Sequence, residues 1–340
     1  MTSNLVLAAN FVPETTVYNG LFYESNEVRL DSAGAFNVGL SRSGKYSAWI
    51  QIGYSRYQFT GTVDANFQAT NIISRWGTTP LTVQFTIGQG AFEGQIYGSV
   101  SDGVWTASLS GGRSSMSSPY AGEYTVVLPG TSGNSNLPAG DGYATLHVAA
   151  DGLGTISCVL ADGTQFMQSA YVTADGDWPL YTSLYVGRGA IVSWLTFANL
   201  STSDVNGDLV WIKQAGVSTT SFPLGFTNGI KAAGAVYLAP APTGKAVNLA
   251  GAVVSFSGGS LAASFNNVVS VNAGSQVVNL SPNQMTFSIN AANGVYAGQV
   301  NEPGNGVPHQ FGGVIVQKQN VGYGSMIGTP SSSRVVLAAP

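Results

Sequence analysis

Apolar and polar residues alternate with a period of two along most of this chain. Tyr46, Ala48, Ile50 and Ile52 fall on one face of a run, and Tyr57, Phe59, Gly61 and Val63 do so in the next. Leu81, Val83, Phe85 and Ile87 make a third row, and Phe92, Gly94, Ile96 and Gly98 a fourth. A period of two is that of a half-buried strand, whereas a helix needs apolar residues three and four apart. Between the runs stand Ser43-Gly44, Asp102-Gly103, Asp151-Gly152, Asp162-Gly163, Asp175-Gly176 and Asn293-Gly294. Such pairs supply the positive φ of tight hairpin turns. Consecutive hairpins make an antiparallel meander, which closes as an up-and-down barrel or folds into a sandwich. The many glycines inside the runs favour strongly curved sheets, hence barrels.

The pattern is duplicated. Gly34-Ala35-Phe36-Asn37-Val38-Gly39-Leu40 is answered by Gly142-Tyr143-Ala144-Thr145-Leu146-His147-Val148. Pro80-Leu81-Thr82-Val83 is answered by Pro179-Leu180-Tyr181-Thr182, and Asp102-Gly103-Val104-Trp105 by Asn206-Gly207-Asp208-Leu209-Val210-Trp211. The copies stand about 100 residues apart, so a β-module is the repeating unit. A third, divergent unit is announced by Met285-Thr286-Phe287-Ser288-Ile289 and Asn293-Gly294-Val295-Tyr296, which resemble the first two strands of the motif. The expected fold is all-β: duplicated antiparallel meander modules, barrel- or sandwich-like, plus a divergent third β unit. Low-complexity joints divide the chain into residues 1–13, an N-terminal strand segment, 14–118, β-module 1, 119–230, its homologue β-module 2, and 231–340, the divergent module 3.

Composition narrows the class. Only 8% of the 340 residues are charged, yet 44% are hydrophobic, with 15 Tyr, 15 Phe and 6 Trp. A disordered chain needs the opposite balance. The net charge of −4 and the scattered Lys and Arg leave no basic stripe for nucleic acid. No apolar run approaches the 18 residues of a membrane helix, so membrane insertion is not expected. Cys158 is the single cysteine, which excludes an intrachain disulfide. Its strand context, Thr155-Ile156-Ser157-Cys158-Val159-Leu160, reads as a small buried hydrophobe. Leu5 to Ala9 is too short an apolar run for a signal peptide.

The residues that carry chemistry elsewhere are sparse. His147 sits in a strand and is expected to face out; His309 follows Pro308 at a strand start. No nucleophile elbow or Ser-His-Asp order accompanies them. Turn chemistry accounts for Asp102, Asp151, Asp162 and Asp175, and Glu93 and Glu123 read as solvent-facing strand residues. Asp175-Gly176-Asp177 and Asp204-Val205-Asn206-Gly207-Asp208 offer oxygens to calcium but match no full calcium loop. No enzyme activity and no cofactor are expected.

Two features point to binding. The first is aromatic density: Trp49, Tyr54 and Tyr57 across one hairpin, and Trp178, Tyr181 and Trp194 across another. Exposed rings of this kind stack on sugar faces; buried ones fill a core or brace cross-strand pairs. The second is the uncharged run Asn4 to Val12, with Leu5, Leu7 and Phe11, cut off by Pro13. A strand without a hairpin partner adds to a sheet edge, in its own chain or in another copy.

Pro138-Ala139-Gly140-Asp141-Gly142-Tyr143, Leu160-Ala161-Asp162-Gly163-Thr164, Trp178-Pro179-Leu180-Tyr181 and Trp194-Leu195-Thr196-Phe197-Ala198-Asn199 add a family mark. So does Phe311-Gly312-Gly313-Val314-Ile315-Val316-Gln317-Lys318-Gln319-Asn320. Together they resemble an uncharacterised β-repeat region near the C-termini of very large predicted surface proteins of environmental bacteria. The resemblance spans about Tyr18 to Leu337 and implies secretion and a surface or matrix role, with no site residues to transfer. The expected function is therefore that of a secreted or cell-surface cohesive protein, assembling with itself through strand addition or with matrix polysaccharide. The alternative is a carbohydrate-binding module using the aromatic rows.

Overall fold

The computed structural model describes residues 15–340 apart from Met116, Thr219, Thr220 and Ala250. The assembly strand read at Leu5, Leu7 and Phe11 lies outside the described residues. Among the described residues helical structure is limited to three single 3-10 turns, at Gly90–Phe92, Tyr185–Gly187 and Ala273–Ser275.

The rest is 24 strands in three sheets. The first holds β1 (Thr15–Tyr23), β2 (Gly34–Ser41), β3 (Lys45–Ile52), β4 (Ser55–Thr62), β5 (Gln68–Ile73), β6 (Leu81–Ile87), β7 (Gln95–Ser101) and β8 (Thr106–Arg113). The second holds β9 (Gly122–Leu128), β10 (Gly142–Val148), β11 (Leu153–Val159), β12 (Gln165–Tyr171), β13 (Asp177–Leu184), β14 (Gly189–Phe197), β15 (Val205–Lys213) and β16 (Phe226–Val236). The third holds β17 (Gly251–Ser257), β18 (Phe265–Val271), β19 (Val277–Asn279), β20 (Thr286–Ile289), β21 (Val295–Asn301), β22 (Pro308–Val316), β23 (Val321–Met326) and β24 (Ser333–Ala338).

Each sheet is an antiparallel meander whose first strand pairs with its last, so each curls into a nearly closed eight-stranded barrel. The seam runs between the fourth and fifth strands in the first two barrels and between the third and fourth in the last. Side chains stitch these seams where the backbone ladder lapses. In the first, the Tyr46 hydroxyl donates to Asn71 Oδ1 (3.0 Å), and its ring crosses over Gly61, where a Cβ would lie 2.3 Å from Tyr46 Oη. In the second, Gln168 of β12 stands in for a strand backbone: its Nε2 donates to the Pro179 carbonyl (2.7 Å) and its Oε1 accepts the Tyr181 N–H (2.8 Å). In the third, the amides of Asn267 and Asn283 bond to each other, and the Asn283 carbonyl accepts the Asn301 N–H (3.2 Å).

The alternation dictates what fills each barrel. Phe22, Phe36, Ile50, Leu81, Phe85 and Ile96 pack inside the first; Leu146, Ile156, Trp178, Leu180, Ile191 and Trp211 inside the second; Val254, Phe256, Val269, Tyr296, Phe311 and Leu337 inside the third. Cys158 is buried in the second core, and burial pushes its thiol well above the ordinary range. All six hairpin pairs read from the sequence place their glycine at positive φ, from +74° at Gly294 to +90° at Gly103.

Several details differ from the sequence reading. Phe92 and Gly94 precede β7, with Glu93 between them in the turn after Gly90–Phe92, because the ladder to β6 begins only at Ile96. Asn206 and Gly207 lie within β15, Asn206 paired to both β14 and β16 and Gly207 to β16, and not in a turn. The division at residue 230 falls inside β16, whose ladder to β15 runs to Gly234 and to β9 as far as Val236. The Pro-Leu and Trp correspondences slip by one strand: β6 is sixth in its barrel and β13 fifth, and β15 is seventh where the Trp105 turn precedes the eighth. Met285 and Tyr296 flank the fourth and fifth strands of the last barrel, not its first two.

Buried phenols give the fold a definite response to alkali. Burial, helped by the nearby Asp204 charge and Tyr120, pushes Tyr124 up to about 12. Burial does the same to Tyr181, against the pull of the Gly53 N–H, again to about 12. A phenol harder to ionise folded than unfolded gives stability that is complete below its unfolded pKa near 10 and is lost as pH rises through the folded value. The urea midpoint is therefore lower at about pH 11 than at about pH 8. Equal midpoints would contradict the burial of these rings.

Candidate functional site

The first two barrels lie side by side, with their outer walls in contact. Period-two alternation builds one wall. β3 points Tyr46, Ala48 and Ile50 inward, which turns Trp49 and Gln51 outward. β1 turns Asn19 outward and β2 turns Asn37, and the register pairs Asn19 with Asn37 and Asn37 with Trp49. Two amides and an indole thus form a row across three strands. From the second barrel, Ser169 and Tyr171 of β12 and Tyr181 of β13 face this row.

The walls meet along an apolar strip, where Leu21 and Ala33 pack on Tyr181, Ala190 and Val192. Hydrogen bonds pin the strip at both ends. The Tyr181 hydroxyl accepts the Gly53 N–H (2.7 Å) and the Tyr54 hydroxyl accepts the Val186 N–H (3.1 Å). At the other end the Arg113 carbonyl accepts the Ala174 N–H (2.8 Å), and Ser114 bridges to Thr173.

Beside the strip lies a cavity of about 230 Å3. Asn19, Asn37, Trp49 and Gln51 of the first barrel line it, with Tyr171 and Tyr181 of the second. At ~30 Å3 per water it has room for about seven or eight waters, or one ring-sized ligand. The Arg56 guanidinium lies over the Trp49 ring, 4.1 Å from its centroid, and donates to Gln51 Oε1 (3.1 Å). Asn19 is only 4% exposed; its Oδ1 accepts the Ser114 hydroxyl (3.3 Å), and its Nδ2 has no protein partner. A buried amide donor without a partner costs about 1–3 kcal/mol, and the residue that carries it lines the cavity.

Two further cavities, of about 590 and 270 Å3, share Trp194. The larger also meets Tyr23, Asp208 and Lys231, the last two in an ion pair at 2.7 Å. The smaller meets Tyr97, Asp175 and Asp177, with Asp177 Oδ1 accepting the Thr196 hydroxyl (2.6 Å).

The six aromatic candidates therefore divide. Trp49 and Tyr181 come together in one cavity, and Trp194 serves the other two. Trp178 is fully buried in the second core, where its indole donates to the Ala170 carbonyl (2.8 Å); it is not a surface ring. Tyr57 leans on the first core, and Tyr54, 61% exposed, gives its hydroxyl to the barrel-to-barrel contact. Asn19, Asn37, Gln51, Arg56 and Tyr171 were missed. Their one sequence signal is position: each falls on the face of its strand opposite the core residues. Of the calcium candidates, Asp204 is engaged by Lys318 (2.7 Å), Asp208 by Lys231 and Asp177 by Thr196. Among the described residues no three or more His, Cys, Asp or Glu side chains gather as a metal site. His147 pairs with Glu123 (2.6 Å) on an exposed ladder and His309 with Glu302 (3.3 Å); neither lines these cavities.

No family model and no curated protein matches the chain. Among solved structures it is similar to the isotype 1 transferrin-binding protein B from serogroup B Neisseria meningitidis, at 10% identity over 95% of this chain and 76% of that one, with a TM-score of 0.21. It is also similar to a mutant of Aleuria aurantia lectin in complex with alpha-methyl-L-fucoside, at 12% identity over 90% and 79%, with a TM-score of 0.17. Likeness at this level carries no ligand or partner over to this chain.

Proposed function

We propose that the protein is a non-catalytic carbohydrate-binding protein of a cell surface or matrix, holding a sugar ring in the cavity between its first two barrels. The observation that carries this reading is the meeting of Trp49 and Tyr171 with Asn37, Gln51 and the unpartnered Asn19 amide across one ring-sized cavity. A sugar ring needs both kinds of group: a flat apolar face for its C–H side and amide donors and acceptors for its hydroxyls. The rest of the protein supports a binding role over chemistry, since its lone thiol is buried and its histidines lie outside the cavity. The motif resemblance to large surface proteins supports the location. The cohesive reading depended on residues 4–12, which lie outside the described residues, so the glycan reading carries the proposal.

Retention on immobilised polysaccharides tests it. Trp49→Ala abolishes retention while shifting the urea midpoint little, because the indole sits on an outer wall. If the variant is retained as well as the parent on every matrix that holds the parent, the cavity is not the binding site.

A further inference from the structure

Resting on that reading, we infer that the ring held in this cavity carries a carboxylate: the ligand class is a uronic-acid polysaccharide and not a neutral one. The electrostatics of the cavity are one-sided. Arg56 is its single charged lining residue, and no Asp or Glu lines it. Arg29, Arg75, Arg113 and Arg334 each stand within 4.0 Å of a carboxylate. Arg56 instead donates to the neutral Gln51 amide and lies over the Trp49 ring. A guanidinium has five N–H donors in a planar fork that matches a carboxylate, so Arg56 keeps most of its donors for a ligand.

The neutral groups lean the same way. Asn19 Nδ2 is a buried donor with no acceptor. The Tyr181 hydroxyl accepts from Gly53, which leaves its own proton to give. Both Gln168 side-chain atoms are occupied by the seam, at Pro179 and Tyr181. The cavity is therefore rich in uncommitted donors and poor in strong acceptors, which suits a ligand that brings negative oxygens. In the larger cavity at Trp194 Lys231 neutralises Asp208, while the smaller one has the opposite balance, with Asp175 and Asp177. An acidic chain entering from outside meets repulsion there and attraction at Arg56, which fixes the register in which it lies. The Trp49 ring carries the guanidinium over one face and leaves its other face and edge for the sugar.

Titration of the full chain with polygalacturonate, and with the same polymer after reduction of its carboxyl groups to alcohols, tests this. Polygalacturonate binds, the reduced polymer binds about tenfold or more weakly, and added salt weakens the first and not the second. Arg56→Gln lowers polygalacturonate affinity about tenfold or more and leaves the reduced polymer unaffected. Arg56→Lys, which keeps the charge and loses the fork, falls between parent and Gln. Arg56 is exposed, and an unchanged urea midpoint confirms that these variants are folded. Equal binding of both polymers, dependent on Trp49 and indifferent to Arg56→Gln, overturns the carboxylate and leaves the glycan site standing. Binding of neither polymer, with retention of no other polysaccharide, overturns both.

Discussion

Asp162→Asn destabilises the second barrel by about 3–5 kcal/mol, the cost of stranding a buried charge. Asp162 opens the turn between β11 and β12, where its Oδ1 accepts the Thr164 N–H (3.0 Å). Its Oδ2 accepts from the Lys213 ammonium (2.8 Å) and from the Tyr185 hydroxyl (2.6 Å), and Tyr185 in turn accepts the Trp211 indole N–H (3.1 Å). The Lys213 and Asp162 side chains are 3% and 1% exposed. Burial, and then the Asp162 charge, drive the Tyr185 phenol far above its ordinary range, which keeps it a donor at any working pH. With a neutral amide at 162, Lys213 keeps the aromatic faces of Tyr185 and Phe222 but has no counter-ion. Urea unfolding measures the loss. Adding Lys213→Met recovers a large part of it, because an apolar pair tolerates the same burial. A loss under about 1 kcal/mol in the single variant would mean that water reaches this pair.

Trp178→Ala has an effect of the same size, about 3–5 kcal/mol, for a different reason. The indole is completely buried, and the second barrel leaves space for it at Gly154, where a Cβ would stand 2.6 Å from Trp178 Nε1. Removing the ring opens a cavity that a closed barrel cannot collapse, and orphans the Ala170 carbonyl. The contrast with Trp49→Ala is the informative part. Both are tryptophans on aromatic-rich hairpins; one variant loses fold, the other loses binding. If Trp178→Ala unfolds no more easily than Trp49→Ala, the inside and outside of the second barrel have been exchanged.

The sequence carried the strands and turns because their physics is local. An Asp-Gly or Asn-Gly between alternating runs needs no distant partner, and all five such glycines, with Gly44 after Ser43, take positive φ. It carried less about which strand was which. Pro179-Leu180 looks like Pro80-Leu81, but Pro179 lies inside β13 whereas Pro80 precedes β6, and the two strands hold different positions in their barrels, a difference that a local Pro-Leu pattern does not encode. Trp178 and Tyr181, three apart on one strand, must face opposite ways, and this was legible. Both are nevertheless buried, since the outer wall of the second barrel is covered by the first. The binding residues were hidden for that same reason. Arg56 and Tyr171 meet only because two barrels pack wall to wall, and no local pattern encodes that. Asp162 illustrates the other limit: turn chemistry explained it fully, and its partner Lys213 stands 51 residues away.

The central claim is that the ligand lies between the first two barrels and not on an exposed tip. Trp76, fully exposed on the turn between β5 and β6, is the competing ring. A crystal structure of the protein with a uronic-acid oligosaccharide decides between them. The expected result is a sugar ring against Trp49 with its carboxylate on Arg56. A sugar resting on Trp76 or Trp194, with the Trp49 cavity holding only water, would contradict it.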